Sequence, residues 1–336
     1  MGKKLRNISK QVLNINDSPL KYIMRFYVPT MIAFQKEEEA LPWFSSVYIQ
    51  TKTRKNNKDR WMVYQNTNPF VTRLPLCFFS LIKKNAEFLF SVIKYLLLKE
   101  WYIFLNVDFF YLTEIKKDDK SHFNHSILVY GFDEEKQQMY LTGYCLGNKI
   151  ETIEVSYEKF WQALSKCKKN DVWIYKRRKN VRAQFDYQFF CQGVEDYVKS
   201  KSSLKYQIKA RSLSLPHIDC YGLKAHESLK KDLNDILNGD KKNVRVRIYA
   251  YFELASNMVL RLNYIKKEYH LNALEDIIKG FEFLAQSYKK VLMLYLKYEK
   301  TNNNDIILSL LDKEHECYEL ERQLFLSLLK EIDKKR

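Results

Sequence analysis

The sequence predicts an α+β protein, with an antiparallel sheet domain over residues 1–180 and an all-helical domain over residues 181–336. Two changes in the spacing of apolar residues predict this division. At Trp101 the period changes from 3.6 to 2, with short β-rich runs separated by connections of turn character, and near Ala183 helical spacing returns and continues to the end of the chain. The strands are expected to pair antiparallel, because the connections between most of them are too short for a crossover helix.

The first predicted element is a short helix that follows Gln11. Ser18 can cap this helix and Pro19 can occupy its first position, and we expect the helix to stop before Pro29. Residues 36–75 contain three prolines and the basic run TKTRKNNKDRW, which indicates irregular structure or a hairpin.

A helix over about residues 84–99 comes next. Phe88, Val92, Tyr95 and Leu96 follow helical spacing, so we expect them to form its buried face. The four runs that follow alternate in character and are predicted to be consecutive antiparallel strands: 101–112, 125–133, 138–146 and 149–155. A helix over 156–167, capped by Ser156, and a strand near 171–176 complete the first domain. Five helices are predicted in the second domain, near 184–200, 217–238, 244–268, 272–299 and 303–333.

The composition excludes several classes of site. Only eight glycines are present and none lies between Gly2 and Gly131, so the first third has no glycine-rich loop for a nucleotide phosphate. The six cysteines are scattered without metal-ligand spacing. The most apolar stretch, residues 88–105, is interrupted by three charged residues. We therefore expect a reduced, cytoplasmic protein without cofactor, metal or membrane span.

The charge balance points to an acidic partner. The chain has 57 Lys and Arg against 40 Asp and Glu, a net charge of +17, and most of the excess lies in residues 1–180. Nucleic acid, an anionic membrane and an acidic protein all fit such a charge. A simple bias of the chain toward Lys and Asn explains it equally well.

Two residues of the predicted sheet have the character of a catalytic pair. If residues 109–124 join the two strands, Asp108 ends the first and His125 begins the next, so antiparallel pairing places both at one rim of the sheet. A carboxylate beside an imidazole fixes the tautomer of the ring and stabilises its protonated form, as a general base requires. The alternative is that His125 is only a polar residue at a strand terminus. His122, in the predicted loop, is a weaker candidate.

The strand ending in VD, the segment HFNHSILVYGFDEE and a following strand ending in Gly-Tyr resemble the N-terminal domain family of the butirosin biosynthesis protein H. The later segment HIDCYGLKAHESL resembles the helical region that follows this domain in the family. The resemblance implies a papain-like fold and acyl transfer from a carrier-protein thioester to a small amine, in the biosynthesis of a peptide or aminoglycoside natural product. It implies an acidic acyl or peptidyl carrier protein as partner.

The resemblance also implies roles for single residues. His125 matches the catalytic histidine, Asp108 a carboxylate position, and Gln11 the oxyanion-hole glutamine. Asp17 or Ser18 stands where the nucleophilic cysteine is expected, and Ser18 is the one alternative nucleophile there. We therefore expect an inactive paralogue, an accessory protein or an enzyme with a changed mechanism.

Other residues and another class of function stay open. Cys145 and Cys77 are predicted to be small buried hydrophobes, and Thr142 occupies the position of the orienting residue of the peptidases. The second hypothesis is a basic nucleic-acid-binding or scaffolding protein, in which 24 tyrosines and 21 phenylalanines offer stacking surfaces. It ranks lower because we find no nucleic-acid-binding motif.

Overall fold

The computed structural model describes residues 8–56, 59–64, 68–77, 79–112, 122–144, 150–169, 171–202 and 218–334. The chain is an α+β protein with an antiparallel sheet and a helical C-terminal region, as predicted. It divides into two compact units: unit 1 is Met1–Glu37 with Asn68–Val181, and unit 2 is Glu38–Thr67 with Arg182–Arg336. Residues 38–67 thus group with the C-terminal region, whereas the sequence analysis places them before the boundary at 180. The domain assignment itself stays a prediction.

The strands, numbered in chain order, are β1 (Lys10–Val12), β2 (Thr51–Asn56), β3 (Asp59–Tyr64), β4 (Val71–Pro75), β5 (Tyr102–Asp108), β6 (Asn124–Asp133), β7 (Gln138–Tyr144), β8 (Ile150–Ser156), β9 (Trp173–Arg177) and β10 (Ile218–Tyr221). The helices are α1 (Met24–Ala33), α2 (Glu37–Ser46), α3 (Phe79–Ile82), α4 (Ala86–Leu98), α5 (Tyr157–Ser165), α6 (Tyr187–Val198), α7 (Ala225–Leu237), α8 (Arg245–Tyr269), α9 (Glu275–Thr301) and α10 (Asn304–Asp333).

Unit 1 is built on a seven-stranded sheet. Its strands are ordered β4-β9-β5-β6-β7-β8, and β1 pairs with β6. All the pairs are antiparallel, and β5 to β8 are the consecutive strands that the alternation predicts. The helices α1, α4 and α5 pack on this sheet. Ser156 caps α5 as expected, accepting a hydrogen bond from the Lys159 amide at 3.3 Å.

The first helix differs from its prediction. It begins at Met24 instead of Ser18, and Pro29 lies inside it. The Ser18 hydroxyl bonds the backbone of Leu20, two residues on, and so forms a local turn where a helix cap was expected. Seven of the ten residues of α1 are buried. This burial offsets the roughly 3 kcal/mol that an interior proline costs a helix.

Helix α4 is where the sequence predicts a helix, but its buried face is different. Leu89, Ile93 and Leu97 are buried, whereas Phe88 and Tyr95 are more than half exposed. The helix is apolar on nearly every side, so the spacing of its apolar residues does not specify one face.

The second compact unit contains α2, the hairpin β2–β3 and the helices α6 to α10. The hairpin was one of the two alternatives predicted for residues 36–75, whereas α2, with Pro42 inside it, was not predicted. Strand β10 pairs with β2. Helices α8, α9 and α10 pack in sequence, and the left-handed residues His270 and Asn302 end the first two. None of the described helices combines the length and the apolar character that a bilayer crossing needs.

Candidate functional site

The carboxylate of Asp108 is the most highly organised polar group at the rim of the unit 1 sheet. Asp108 ends β5 and caps the 3₁₀ turn that follows it. Its Oδ1 accepts hydrogen bonds from the amides of Phe110 at 3.1 Å and Phe123 at 3.3 Å. Only 5% of the side chain is exposed. The two amides fix this carboxylate from the ends of two neighbouring strands.

His122 is the imidazole that contacts this carboxylate. Its Nδ1 lies 2.7 Å from Asp108 Oδ2, and its ring stacks on Phe110 with the ring centroids 4.4 Å apart. An ionised carboxylate only accepts hydrogen bonds, so we assign the shared proton to Nδ1. The side chain is 60% exposed, and Nε2 has no hydrogen-bond partner among the described residues. The pair therefore presents an imidazole nitrogen to solvent.

His125 does not form the expected contact with Asp108. In the β5–β6 ladder Asp108 lies opposite Asn124, and His125 lies opposite Val107. Directly opposed residues project from the same face of a sheet, so Asp108 and His125 project from opposite faces. The structure brings Asp108 together with His122, and the catalytic roles assigned to Asp108 and His125 stay predictions.

Aromatic rings surround His125. Phe123 stacks on it at 5.5 Å between centroids, and Phe109 and Tyr144 approach it edge-on at 5.8 and 5.9 Å. Burial lowers the pKa of His125, and the positive charge of Lys169 lowers it further, against the raising effect of the Ser126 carbonyl. This imidazole is therefore held in its neutral form.

The segment that replaces the expected cysteine reaches the same rim. The Tyr144 hydroxyl, beside His125, donates a hydrogen bond to the carbonyl of Lys21. Asp17 is 79% exposed at its side chain and pairs with the Lys21 ammonium at 2.8 Å. Ser18 is 2% exposed, and its hydroxyl donates to the Leu20 carbonyl at 3.0 Å. Ser18 therefore has its proton engaged by the backbone, and it also precedes the start of α1.

Gln11 lies at a different part of the sheet. In β1 it pairs with Phe132, seven residues along β6 from His125. At about 3.4 Å per residue, this separates the two backbones by roughly 24 Å. The structure thus does not bring Gln11 and His125 to one site. Thr142, in β7, donates its hydroxyl proton to the Glu151 carbonyl at 3.0 Å.

The described cysteines of unit 1 are Cys77 and Cys167. Cys77 is exposed, so the prediction that it is buried is wrong. Cys167 is buried, and this burial raises the pKa of its thiol. The negative charge of Asp108 raises that pKa further. Cys145 lies outside the described residues. A thiol with a raised pKa is a poor nucleophile because it is protonated at neutral pH.

The Asp108–His122 pair differs from the predicted pair because β6 begins at Asn124, one residue before the predicted start at His125. What decides which histidine faces Asp108 is the residue of β6 that lies opposite it in the hydrogen-bonded ladder. Residues 122, 124 and 126 share the face of Asp108 once Asn124 opposes it. A register shift of one residue between β5 and β6 would instead put His125 on the face of Asp108 and His122 on the opposite face.

The described residues contain no group of three or more His, Cys, Asp or Glu side chains that could hold a metal ion. No protein-family model matches the chain, and no curated protein matches it. The resemblance to the butirosin biosynthesis protein H family therefore stays a prediction.

Proposed function

We propose that the chain is a papain-like acyltransferase-family protein of peptide or aminoglycoside natural-product biosynthesis. In this proposal it acts on or beside the thioester of an acyl or peptidyl carrier protein and forms no covalent acyl-enzyme intermediate. It is then an accessory protein, an inactive paralogue, or an enzyme whose transfer runs without a thiol nucleophile. The acceptor class is a small amine.

The observation that carries this proposal is the chemistry of the segment at Asp17 and Ser18. Asp17 is exposed, and its carboxylate is ion-paired with the Lys21 ammonium. The Ser18 hydroxyl is buried and bonded to the Leu20 backbone. Both residues precede the first residue of α1, so neither has the helix N-terminal position that lowers the pKa of a nucleophile.

A basic surface of unit 1 supports an acidic partner. Arg73, on the edge strand β4, lies over the Trp173 ring with its guanidinium carbon 3.7 Å from the ring centroid. Burial lowers the pKa of Arg73, and the positive charge of Arg25 lowers it further. The same charge opposes the burial that raises the pKa of Tyr175. Within the described residues, neither arginine forms an ion pair with a carboxylate. Two uncompensated guanidinium groups favour carboxylate or phosphate partners.

Intact-protein mass spectrometry tests the covalent part of the proposal. The protein is incubated with acetyl-S-N-acetylcysteamine and with an acetyl-loaded carrier protein, and its mass is recorded over time. We expect the mass to stay unchanged, because the Ser18 hydroxyl is bonded to the backbone and burial raises the pKa of the Cys167 thiol. An acetyl adduct on Ser18, Cys77 or Cys145 would contradict the proposal and identify the nucleophile.

Binding tests the partner. We expect the affinity for an acidic carrier protein to fall as salt rises, since salt screens surface charges. The double variant Arg25→Glu with Arg73→Glu should weaken binding, and the matched control Lys297→Glu, on the exposed face of α9, should not. Salt-dependent binding to single-stranded nucleic acid without binding to the carrier protein would favour the nucleic-acid hypothesis.

A further inference from the structure

The Asp108–His122 pair has the geometry of an oriented general base. Nδ1 of the imidazole is held by a carboxylate that two backbone amides fix in turn. The ring stacks on Phe110, which restricts its rotation, while the side chain is 60% exposed and Nε2 has no hydrogen-bond partner among the described residues. In such a pair the carboxylate selects the tautomer with a free Nε2 lone pair and stabilises the imidazolium that forms during proton transfer.

We infer that His122 is a general base for direct attack of an amine on a thioester, with Asp108 as its positioning residue. The inference rests on the substrate class of the proposed function. The amine nitrogen forms a bond to the thioester carbonyl carbon while Nε2 of His122 takes a proton from that nitrogen. The carbon–sulfur bond then breaks, and the imidazolium returns the proton to the departing thiolate. No atom of the protein is acylated in these steps.

His122 suits this role better than His125. Three aromatic rings surround His125, and its Nδ1 faces the Ser126 carbonyl at 3.2 Å instead of a carboxylate. The imidazolium that proton transfer creates would there lack a negative partner in a partly desolvated site, which disfavours the charge. At His122 the buried carboxylate supplies that partner at 2.7 Å.

The kinetic test compares three variants of the full chain. The release of N-acetylcysteamine from acetyl-S-N-acetylcysteamine in the presence of glycinamide is followed by chromatography, and the rate without protein is subtracted. General base catalysis typically contributes about 10²–10⁴-fold, so we expect His122→Gln to lower kcat at least tenfold. The matched control added to these variants is His315→Gln, on the exposed face of α10, which should keep kcat within twofold of the wild-type value.

Asp108→Asn provides the test of the positioning role. The amide keeps the shape of the side chain, but it no longer selects the Nδ1–H tautomer with a full negative charge. We expect kcat to fall at least tenfold, KM to stay within twofold, and the far-UV circular dichroism to match the wild type. A structural defect would instead change the spectrum.

Two results would overturn the inference. One is a His122→Gln variant with the same kcat as the wild type. A wild-type protein with no rate above background counts as this result, because the substitution then has no rate to lower. The other is loss of the rate in His125→Gln with retention in His122→Gln. Failure of the proposed function is a different observation, since it appears as a covalent adduct in the intact mass.

Discussion

His226, in α7, is fully buried in unit 2 between two glutamates of α10. Its Nδ1 lies 2.7 Å from Glu314 Oε1, and its Nε2 lies 3.4 Å from Glu321 Oε1. Burial opposes the charged imidazole, but the negative charge of Glu321 and the hydrogen bonds to both glutamates outweigh it and raise the pKa of His226 to about 9. A rise of pH through this value deprotonates the buried imidazole.

The groups that face His226 come from several helices. The hydroxyls of Tyr197 and Tyr288 donate hydrogen bonds to Glu321, and Tyr251 stacks on the imidazole at 4.1 Å. The ring centroid of Tyr318 lies 5.1 Å from that of His226. The Cys317 thiol interacts electrostatically with Glu314 and Glu321, and the Arg247 guanidinium with Tyr251. Burial and the two glutamates raise the pKa of the Cys317 thiol to about 12.

The magnitude follows from linkage. An unfolded histidine titrates near 6.5, so the folded state binds its proton more tightly by about 2.5 pKa units, or about 3 kcal/mol. Because the folded pKa is the higher one, this contribution is complete below pH 6.5 and is lost as pH rises through about 9. Between pH 6 and 8.5 the loss amounts to roughly 2 kcal/mol.

Urea unfolding followed by circular dichroism at pH 6.0, 7.5 and 8.5 measures this loss. The wild-type free energy of unfolding should fall across the series, and that of His226→Gln should be lower at pH 6.0 and nearly level. Stopping at pH 8.5 leaves out most of the Cys317 titration. Equal slopes for the two proteins, or wild-type stability that increases with pH, would refute the reasoning.

Three further outcomes are expected. Arg261→Met removes the hydrogen bonds from the buried guanidinium to the carbonyls of Val47 and Tyr48, and should lower the free energy of unfolding by about 3 kcal/mol in urea titrations. Gly131→Ala places a Cβ 2.7 Å from the Gln11 carbonyl oxygen and should cost about 1–3 kcal/mol, visible as a lower Tm. Iodoacetamide should label Cys77 in the native protein, whereas the buried Cys191 should stay unlabelled until denaturant is added, as peptide mass mapping can check.

Strands β5 to β8 are predicted because short β-rich runs between Trp101 and Val155 are separated by connections with turn character. In the structure β6 and β7 are buried over consecutive residues, so both of their faces are covered. The long helices of unit 2 are predicted by the same kind of argument. Helix α1 was misplaced, because turn chemistry at Ser18 and an interior Pro29 both outweigh local propensity. Such outcomes depend on tertiary burial, which the local sequence does not contain.

The candidate site depends on register, which composition and periodicity define only to within a residue. When Asn124 lies opposite Asp108 in the ladder, His122 is on the same face as Asp108 and contacts it. If His125 lay opposite Asp108, His125 would share that face and His122 would not. The sequence does place Asp108 at the end of its strand, where the structure has it. It does not identify which imidazole faces the carboxylate, because that requires the hydrogen-bonded ladder.

A long-range ¹H–¹⁵N spectrum of the histidine side chains tests the Asp108–His122 pair most directly. We predict that the neutral form of His122 carries its proton on Nδ1 and leaves Nε2 unprotonated, and that Asp108→Asn shifts the signals of His122 far more than those of His125. Resonances of His125 that respond to Asp108→Asn, with those of His122 unchanged, would contradict it.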